Sequence, residues 1–305
     1  MFDRVAFIGM GLIGSSLARV LRRDGLAGEI TAAARKTETL DTIMELGLAD
    51  RVSNDPADAV RDADLIMICT PLGAYGKVAA AIGPSLRDGA IVSDVGSAKA
   101  CVAREVGPHL PTGVHLVPGH PVAGTEHSGP RSGFAELFDG RWCVLTPEPG
   151  TDRDAVDRVR ALWEAAGMYV TEMNTIHHDR ILAITSHLPH VIAYAIVDTA
   201  NQLGDDLKDE IFQFSASGFR DFTRIAASDP IMWRDILVEN RDAVLDVLSR
   251  FDEDLTQLKR AIRRGDGDEL ERIFTRTRAI RRGIIEARQE QFEDQKTLPP
   301  AKSDG

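Results

Sequence analysis

One short segment of this sequence, VPGHPVAGTEHSG at residues 117–129, carries several hydrogen-bonding side chains that could do chemistry. It holds His120 between Gly119 and Pro121, and glycine and proline interrupt it too often for a helix. A neutral imidazole, with an ordinary pKa of about 6.5, can accept a proton from a hydroxyl group. A single histidine more often makes a structural hydrogen bond, but the rigid Gly-His-Pro frame favours a catalytic base.

A glycine-rich turn near the start of the chain is the second candidate. The stretch VAFIGMGLIGSS contains a G-x-G-x-x-G pattern directly after an apolar run and before a helical pattern. This arrangement binds the pyrophosphate of a dinucleotide at a helix N-terminus, although it can also be a tight turn that binds nothing. The residues expected to line the cofactor site here are Gly9, Gly11, Leu12, Ile13, Gly14, Thr70, Pro71 and Ser97.

The residue that selects between NAD and NADP should follow the last glycine by about 20 residues. Ala34 stands there in place of the usual carboxylate, and Arg35, Lys36 and Thr37 follow it. A carboxylate would bond the ribose and repel a 2'-phosphate, whereas these cations suit that phosphate. We therefore expect NADP or NAD as the cofactor, with NADP favoured. The alternative is that Arg35 and Lys36 are an ordinary solvated pair.

Further candidates combine proline, histidine, arginine and serine. His187 and His190 lie three residues apart around Pro189, which is expected to bend a helix there and so to mark a site. No third ligand follows at useful spacing, so a metal is not expected. Arg224 is suited to a substrate carboxylate, or to a surface ion pair with a nearby Asp. Ser97 could bond both cofactor and substrate, or cap the helix that follows it.

The elements that must position these residues fall into two regions. Through residue 173, apolar runs alternate with helical patterns, which predicts a Rossmann-type α/β domain with a doubly wound, mostly parallel sheet. From 174 to 293 the pattern is helical, which predicts an all-α domain, and 294–305 is expected to be a disordered tail. The predicted strands are 4–9, 29–35, 64–70, 90–95, 114–119, 141–147 and 168–173.

One apolar stripe in the second region predicts a contact with a second copy of the chain. Its members recur at helical spacing and are Leu237, Val244, Leu248, Phe251, Leu255, Leu258 and Ile262. A single helix carrying this stripe would span about seven turns, which is longer than a small domain easily covers. We therefore expect a homodimer. The segment RRGDGDEL at 263–270 should end this helix.

Composition restricts the class of protein. The 305 residues are 43% hydrophobic, and 36 basic against 47 acidic side chains leave a net charge of -11, which argues against a nucleic-acid partner. A small anionic substrate must therefore be bound by local Arg and His groups. Three cysteines without metal or disulfide spacing fit a reducing cytoplasm. The longest apolar tract, within 181–203, is interrupted by polar residues and is not expected to span a membrane.

Five motifs, in this order along the chain, together identify a family resemblance. GMGLIGSSLA, DVGSAK, GHPVAGTEHSG, SHLPH and GFRDFTRIAASDPIMWRDI closely resemble the prephenate and arogenate dehydrogenases of tyrosine biosynthesis, over residues 4 to about 290. The resemblance implies an N-terminal nucleotide-binding domain and a C-terminal helical domain that dimerises. It also implies oxidative decarboxylation, in which hydride passes to NAD(P), a base takes a hydroxyl proton, and loss of carbon dioxide makes the substrate ring aromatic.

The resemblance also implies roles for individual residues. His120 becomes the group that accepts the hydroxyl proton, and Ser97 bonds the same hydroxyl and helps to place the nicotinamide. His190 and Arg224 match substrate-binding positions, with Arg224 facing a carboxylate. The remaining side chains implied to line or cover the site are Thr125, Glu126, His187 and Trp233.

Two other functions compete with this interpretation. A two-domain dehydrogenase of the β-hydroxyacid type would use a lysine early in its helical domain, but residues 174–207 contain no lysine. A catalytically silent dinucleotide sensor would keep the glycines without needing His120 or Arg224. The sequence does not separate prephenate from arogenate, because any small polar group could read the amine by which they differ.

Overall fold

A computed structural model of the chain describes residues 1–202 and 217–296, with side chains up to residue 284. The chain divides into two compact units, Met1–Val247 and Leu248–Gly305. All the residues predicted to act in cofactor or substrate binding belong to the first unit.

Six parallel strands form the central sheet of the first unit. They are β1 (Phe2–Ile8), β2 (Ala27–Ala33), β3 (Arg51–Ser53), β4 (Leu65–Ile68), β5 (Ile91–Asp94) and β6 (His115–Val117). Their order is β3-β2-β1-β4-β5-β6, so the direction of winding reverses between β1 and β4. Ligands of open α/β sheets bind outside the carboxyl ends of the strands at such a reversal.

Helices cover both faces of this sheet because its strands are apolar on both sides. They are α1 (Leu12–Arg23), α2 (Thr37–Glu45), α3 (Pro56–Ala59), α4 (Tyr75–Ile82), α5 (Ala100–Val106) and α6 (Arg153–Ala165). Adjacent residues of β1 point to opposite faces, so Phe7 joins a core with Leu17 and Trp163 whereas Ile8 joins another with Tyr75. This doubly wound architecture confirms the predicted fold class.

A second, three-stranded sheet follows, and it changes the setting of His120. Its strands are β7 (Gly119–Pro121), β8 (Trp142–Leu145) and β9 (Tyr169–Glu172), with β7 antiparallel to β8 and β8 parallel to β9. The seven predicted strands are present, with ends within two residues of those expected. The three-residue strands β3 and β7 were not predicted. His120 was placed in a loop at the end of a strand, which is wrong, because the chain resumes pairing after Pro118.

Beyond Glu172 the described residues contain helices and no strand. The helices are α7 (Thr175–Leu182), α8 (Leu188–Gln202), α9 (Ser217–Thr223), α10 (Pro230–Glu239), α11 (Arg241–Arg264) and α12 (Gly267–Lys296). Single 3₁₀ turns occur at Leu72–Ala74, Gly83–Ser85, Gly107–His109, Pro130–Ser132, Ala135–Phe138 and Arg224–Ala227. The predicted tail at 294–305 begins inside α12, and its residues from 297 onward lie outside the described part of the chain.

The apolar stripe predicted as one helix is divided between two. α10 ends at Glu239, and Asn240 leaves the helical conformation with φ -107° and ψ 25°, so Leu237 does not share a helix with Ile262. The burial of the stripe also varies, since Val244 is 5% exposed and Ile262 is 65% exposed. The predicted break after this stripe is present at Gly265, where φ is +64°.

The helical stretch Thr175–Gln202 combines length with low polarity. By length and composition alone it could cross a membrane, and 22% of its most apolar window is buried. Its inner positions include the buried polar residues His178, Asp179 and His187. Exposed apolar helix faces also suit a protein partner. The expectation that the chain has no membrane span therefore stays a prediction.

Candidate active site

The glycine-rich loop joins β1 to α1 at the reversal of the sheet. Gly9 has φ +81°, and a Cβ added there would lie 2.9 Å from Thr70 Cγ2, so the position requires glycine. A Cβ on Gly14 would lie 3.3 Å from Cys69 Sγ. Around Gly11, by contrast, a Cβ would meet nothing within 4 Å. Gly9 and Gly14 allow close packing, whereas Gly11 leaves open space in which a ligand can approach the backbone.

The first turn of α1 presents hydrogen-bond donors to this space. Gly11 is the N-cap, and as a glycine it has no side chain that could cap the helix. The first hydrogen bond of the helix is donated by Ser15 N to Gly11 O at 3.0 Å. The N–H groups of Leu12 and Ile13 thus precede this first hydrogen bond at the positive end of the helix dipole. Thr70 Oγ1, buried beside the loop, has no hydrogen-bond partner among the described residues. This donor set fits the phosphates of a dinucleotide.

The segment predicted to read the ribose follows β2. Ala34 N donates to Ser53 O at 3.3 Å, and α2 begins at Thr37. Arg35, Lys36 and Thr37 are exposed, and the N-cap Lys36 makes no side-chain cap. Two cations and a hydroxyl at an uncapped helix start are suited to a phosphate group.

Ser97 lies on the bend between β5 and α5. That helix begins at Ala100 with Lys99 as its N-cap, so the alternative in which Ser97 caps the helix is wrong. The half-buried Ser97 hydroxyl makes no hydrogen bond to any residue that the structure describes, and it is free to bond a ligand. Pro71, which follows β4, is exposed.

His120 is the central group of the site and is 6% exposed. It occupies the middle of β7, where it pairs with Val144. Burial lowers the pKa of His120 well below its ordinary value of 6.5, and the neighbouring charges of His178, Lys99 and His187 lower it further. The imidazole is therefore neutral near pH 7 and can accept a proton.

A buried ion pair fixes the strand that carries His120. Lys99 Nζ lies 2.5 Å from Asp94 Oδ2 and donates to Gly119 O at 2.8 Å. Asp94 also accepts from Tyr75 Oη at 3.0 Å and from Gly119 N at 3.2 Å. Both charged side chains are almost fully buried, and each is paired and hydrogen-bonded, as burial of a charge requires. Since Gly119 directly precedes His120, this network anchors the base at the carboxyl end of β5.

His187 is the last residue of a wide turn of the helix, and His190 follows that turn. Ala183–His187 form one π-helical turn that ends two residues before Pro189, so the chain accommodates the missing proline N–H without ending the helix. His190 Nδ1 lies 2.8 Å from Ser186 O. A carbonyl can only accept, so Nδ1 carries the proton and Nε2 of neutral His190 is an acceptor. Burial lowers the pKa of His190.

Both of these histidines contact Trp233. His190 stacks on the indole with ring centroids 3.5 Å apart, and His187 meets it edge-on at 6.0 Å. Asn240 Nδ2 donates to His187 Nδ1 at 3.1 Å, so the proton of His187 is on Nε2. Burial lowers the pKa of His187 to about 4. His187 Nε2 and Trp233 Nε1 are both buried, and neither has a hydrogen-bond partner among the described residues.

Arg224 and the segment after β7 meet at the exposed side of the site. The Arg224 side chain is 61% exposed, and its Nη1 lies 3.3 Å from Glu126 Oε2, so its partner is a glutamate rather than the expected aspartate. The charge of Arg224 lowers the pKa of His190, although burial is the larger cause. Thr125 Oγ1 accepts from His127 N at 3.2 Å. The structure thus brings Arg224 and Glu126 beside the His190 ring.

Three further polar residues of the site are marked by no motif. His178 Nε2 lies 2.9 Å from His120 Nδ1, and His178 Nδ1 lies 2.7 Å from Asp179 Oδ1. Asn240 Nδ2 donates to Asp179 O at 2.8 Å. The signal available in the sequence was weak, since adjacent polar residues at the start of a helix are usually solvated.

Thiol and metal chemistry find no support in this region. Cys69, Cys101 and Cys143 are free, and burial raises the pKa of each, for Cys101 to about 12. Protonated thiols are poor nucleophiles and poor metal ligands. Within residues 1–202 and 217–296, no group of three or more His, Cys, Asp or Glu side chains is placed to hold a metal ion.

Two family models match the chain in sequence order. The nucleotide-binding domain of prephenate dehydrogenase matches residues 17–172, and the dimerization domain of prephenate dehydrogenase matches residues 174–276. The chain belongs to the prephenate dehydrogenase family. The resemblance inferred from the five motifs is thereby confirmed, and membership makes the protein an NAD(P)-dependent dehydrogenase.

Members of the prephenate dehydrogenase family similar to this chain carry different substrate names. A cyclohexadienyl dehydrogenase of Zymomonas mobilis is 41% identical over 281 residues, covering 92% of this chain and 96% of the relative. The crystal structure of A. aeolicus prephenate dehydrogenase with hydroxyphenyl propionate and NAD+ has a TM-score of 0.86 and 33% identity, covering 93% and 99% of the two chains. Synechocystis arogenate dehydrogenase has a TM-score of 0.76 and 29% identity, covering 92% and 99%.

Proposed function

We propose that this protein catalyses the oxidative decarboxylation of prephenate, arogenate or both, with hydride transfer to NAD(P), in tyrosine biosynthesis. The observation that carries the proposal is the buried, uncharged imidazole of His120, held at the carboxyl edge of a dinucleotide-binding sheet. The substrate names of the relatives support the choice of substrate class.

His120 would act as the base in this reaction. The nicotinamide, when bound, accepts the hydride from C4 of the substrate. His120 Nε2 takes the 4-hydroxyl proton as the C4–H bond breaks, so C4 becomes a carbonyl carbon. The ring carboxylate then leaves as carbon dioxide, and its bonding electron pair enters the ring. The oxygen regains a proton from His120 to give a phenol, so the base ends neutral and no net proton is released.

The other site residues would bind and orient the substrate. We assign Ser97 to the same hydroxyl, and His190 and Arg224 to polar groups of the substrate, with Arg224 at a carboxylate. Such a local cation is needed because the net charge of -11 would otherwise repel an anion. Glu126 neutralises Arg224 before binding, so the substrate carboxylate would replace an ion pair already present. Thr125, His187 and Trp233 would complete the walls.

Steady-state turnover of prephenate and arogenate, each with NAD and NADP, tests the proposal directly. We expect reduced nicotinamide and carbon dioxide to form in equal amounts with at least one substrate. The organic product should be 4-hydroxyphenylpyruvate from prephenate or tyrosine from arogenate. No turnover in any of the four combinations would refute the proposal, and reduction of NAD(P) without carbon dioxide would point to another dehydrogenase.

Arg224→Ala should raise the Michaelis constant for the substrate far more than it lowers kcat. An anchor for a carboxylate stabilises the bound substrate and the transition state alike, so its loss affects binding. A charge-assisted hydrogen bond of about 1.5 to 3 kcal/mol implies an increase of roughly tenfold to a hundredfold. Initial rates over a range of substrate concentrations give both constants.

Arg220→Ala is the matched control for Arg224→Ala, because Arg220 is exposed one helical turn earlier and makes no contact with Glu126. It should leave both constants unchanged. Arg224→Lys should recover part of the affinity, since it keeps the charge but not the planar fork. An unchanged Michaelis constant in Arg224→Ala, for both substrates, would remove Arg224 from the site.

The protein should form a homodimer through its helical region. The matched family domain is a dimerization domain, and the unit Leu248–Gly305 exposes several large apolar side chains. These are Leu255, Ile262, Phe274, Ile280 and Ile284. Light scattering should give about twice the chain mass of 33.3 kDa. Ile262→Glu should weaken the dimer more than Lys259→Glu, and a monomer at micromolar concentration would contradict the prediction.

We also propose the functional division of the chain that the sequence predicts. Residues 1–173 would bind the dinucleotide, and 174–293 would complete the substrate site and the dimer. In support, the match to the first family model ends at residue 172 and the match to the second begins at residue 174. A cytoplasmic location, inferred from the composition, likewise stays a prediction.

A further inference from the structure

A buried chain of hydrogen bonds begins at Nδ1 of His120. His178 Nε2 lies 2.9 Å from His120 Nδ1, with the two rings edge to face at 5.1 Å. His178 Nδ1 lies 2.7 Å from Asp179 Oδ1. The Asp179 carboxylate also accepts from the backbone N–H groups of Lys99 at 2.8 Å and Ala100 at 2.9 Å. The chain therefore ends on a carboxylate fixed to the start of α5.

The direction of these hydrogen bonds is set by the carboxylate. Burial acts to raise the pKa of Asp179, but the hydrogen bonds from His178, Ala100 and Lys99 hold it below its ordinary value of 3.8. An ionised carboxylate only accepts, so His178 Nδ1 carries a proton. Burial is the main cause that lowers the pKa of His178, which makes this ring neutral near pH 7 with an acceptor at Nε2. His120 Nδ1 must then be the donor, which leaves His120 Nε2 unprotonated.

We propose that His178, oriented by Asp179, is a positioning residue that holds the proton of His120 on Nδ1 and so presents Nε2 to the substrate as the base. This inference rests on the proposed function, because it explains how the base of that reaction is prepared. His178 itself touches no reacting atom. Without it, the neutral His120 ring could place its proton on either nitrogen, and only one of the two tautomers can accept the hydroxyl proton.

The same chain stabilises His120 after it has taken the proton. The imidazolium then donates from Nδ1 to His178, and the negative charge of Asp179 lies at the end of the chain. The other charged and titratable groups that act on these two rings are Lys99, Asp94 and His187. The charge of Lys99 is balanced by its partner Asp94 at 2.5 Å. Asp179 is therefore the carboxylate left to balance the imidazolium.

Two substitutions of His178 separate positioning from packing. His178→Phe keeps a ring of similar size but removes the acceptor, whereas the amide oxygen of His178→Gln can still accept from His120 Nδ1. We expect His178→Phe to lower kcat about 100-fold, part of what a positioned base contributes, with a Michaelis constant within about threefold of wild type. We expect His178→Gln to retain kcat within about tenfold of wild type. His177→Phe, at an exposed position one residue earlier, is the matched control and should change neither constant.

The protonated nitrogen can be observed without substrate. Long-range ¹H–¹⁵N correlation spectra of histidine-labelled protein distinguish the two tautomers, and the spectrum of His120→Asn assigns the signals of His120 among the eight histidines. We expect Nε2 of His120 to be unprotonated in wild type and His178→Gln, and to be partly protonated in His178→Phe. Cofactor affinity and far-ultraviolet circular dichroism show whether each variant is folded.

The outcomes are distinct. A wild-type His120 protonated on Nε2 would overturn the inference, and so would a folded His178→Phe whose His120 keeps its tautomer, whatever its activity. A His178→Gln as inactive as His178→Phe, with both folded, would also overturn it. If the protein turned over neither prephenate nor arogenate, the proposed function would fail while the tautomer measurement still reported on His178.

Discussion

His120→Asn should bind the substrate nearly as well as wild type but turn it over 100-fold to 10,000-fold more slowly, about the contribution of a positioned base. Asparagine can occupy the space near Nδ1 but has no group that takes up a proton near pH 7. Steady-state kinetics should show the loss in kcat, and the Michaelis constant should change little. His109→Asn, the same substitution at an exposed histidine after α5, is the control and should be fully active. Near-wild-type kcat in His120→Asn would remove His120 from the mechanism.

The pH dependence of wild type gives an independent measurement of this base. Only neutral His120 accepts a proton, and its pKa is held well below 6.5. We therefore expect kcat/KM to be constant near pH 7 and to fall with one ionisation only below 6.5. Acid also destabilises the fold, because the unfolded chain protonates its histidines at a higher pH than the folded chain does. Circular dichroism at each pH separates the two effects, and a fall in activity that begins above 6.5 would contradict the assignment.

The wild-type protein should use NADP at least as well as NAD, and Ala34→Asp should shift the ratio of the two kcat/KM values toward NAD. The new carboxylate would bond the ribose of NAD and repel the 2'-phosphate of NADP, so the two effects multiply in the ratio. A single contact of about 1.5 to 3 kcal/mol corresponds to roughly tenfold to a hundredfold. Arg35, Lys36 and Thr37 are exposed at the start of α2, and we expect them to bind that phosphate. Kinetics with each cofactor at saturating substrate measure the ratio.

Ala80→Asp is the control for this change in cofactor preference, because it adds the same charge at an exposed position of α4. It should leave the ratio unchanged. If wild type strongly preferred NAD, or if Ala34→Asp did not move the ratio toward NAD, this loop would not read the 2'-position. Arg35→Ala would then distinguish two cases. If Arg35 points to solvent, its loss should change kcat/KM with neither cofactor. If Arg35 stacks on the adenine, its loss should lower kcat/KM with both.

Long apolar strands could be predicted, whereas the short strands could not. Most residues of β1, β2, β4 and β5 are buried, so each strand appears in the sequence as a largely apolar run. β7 consists of Gly, His and Pro, and none of these residues favours a strand. It forms because Pro118 ends the previous strand and β8 offers a free edge, and a pairing partner 24 residues away leaves no local pattern.

Helix ends in the second region were harder to predict for a similar reason. Apolar spacing from Leu237 to Ile262 indicates one helix. It does not reveal that the helix ends at Asn240, whose side chain donates hydrogen bonds to Asp179 O and His187 Nδ1. Pro189 did indicate a helix defect, and the defect is the π-helical turn at Ala183–His187. Its form could not be predicted, because a proline can be accommodated by a bend, a break or a wider turn.

The site shows the same division. Short continuous motifs contain His120, Ser97 and the glycines. The spacing of residues within each motif was therefore enough to predict that they belong to the site. His178 and Asp179 matter only because folding places them against His120 and the start of α5. A histidine followed by an aspartate near a helix start has no spacing that distinguishes it from a surface pair. Residues that act through another residue are therefore the part that a single sequence hides.

The attachment of Asp179 to α5 bears on how relatives of this enzyme could be recombined. By chain order His178 and Asp179 belong to the helical half, yet their side chains bond His120, Lys99 and Ala100 of the other half. A hybrid joined at residue 173 would combine a base from one parent with an orienting pair from the other. In a hybrid joined within Ala183–His187, all five residues would come from one parent. The crossover point that preserves the chemistry therefore lies one helix beyond the boundary between the family domains.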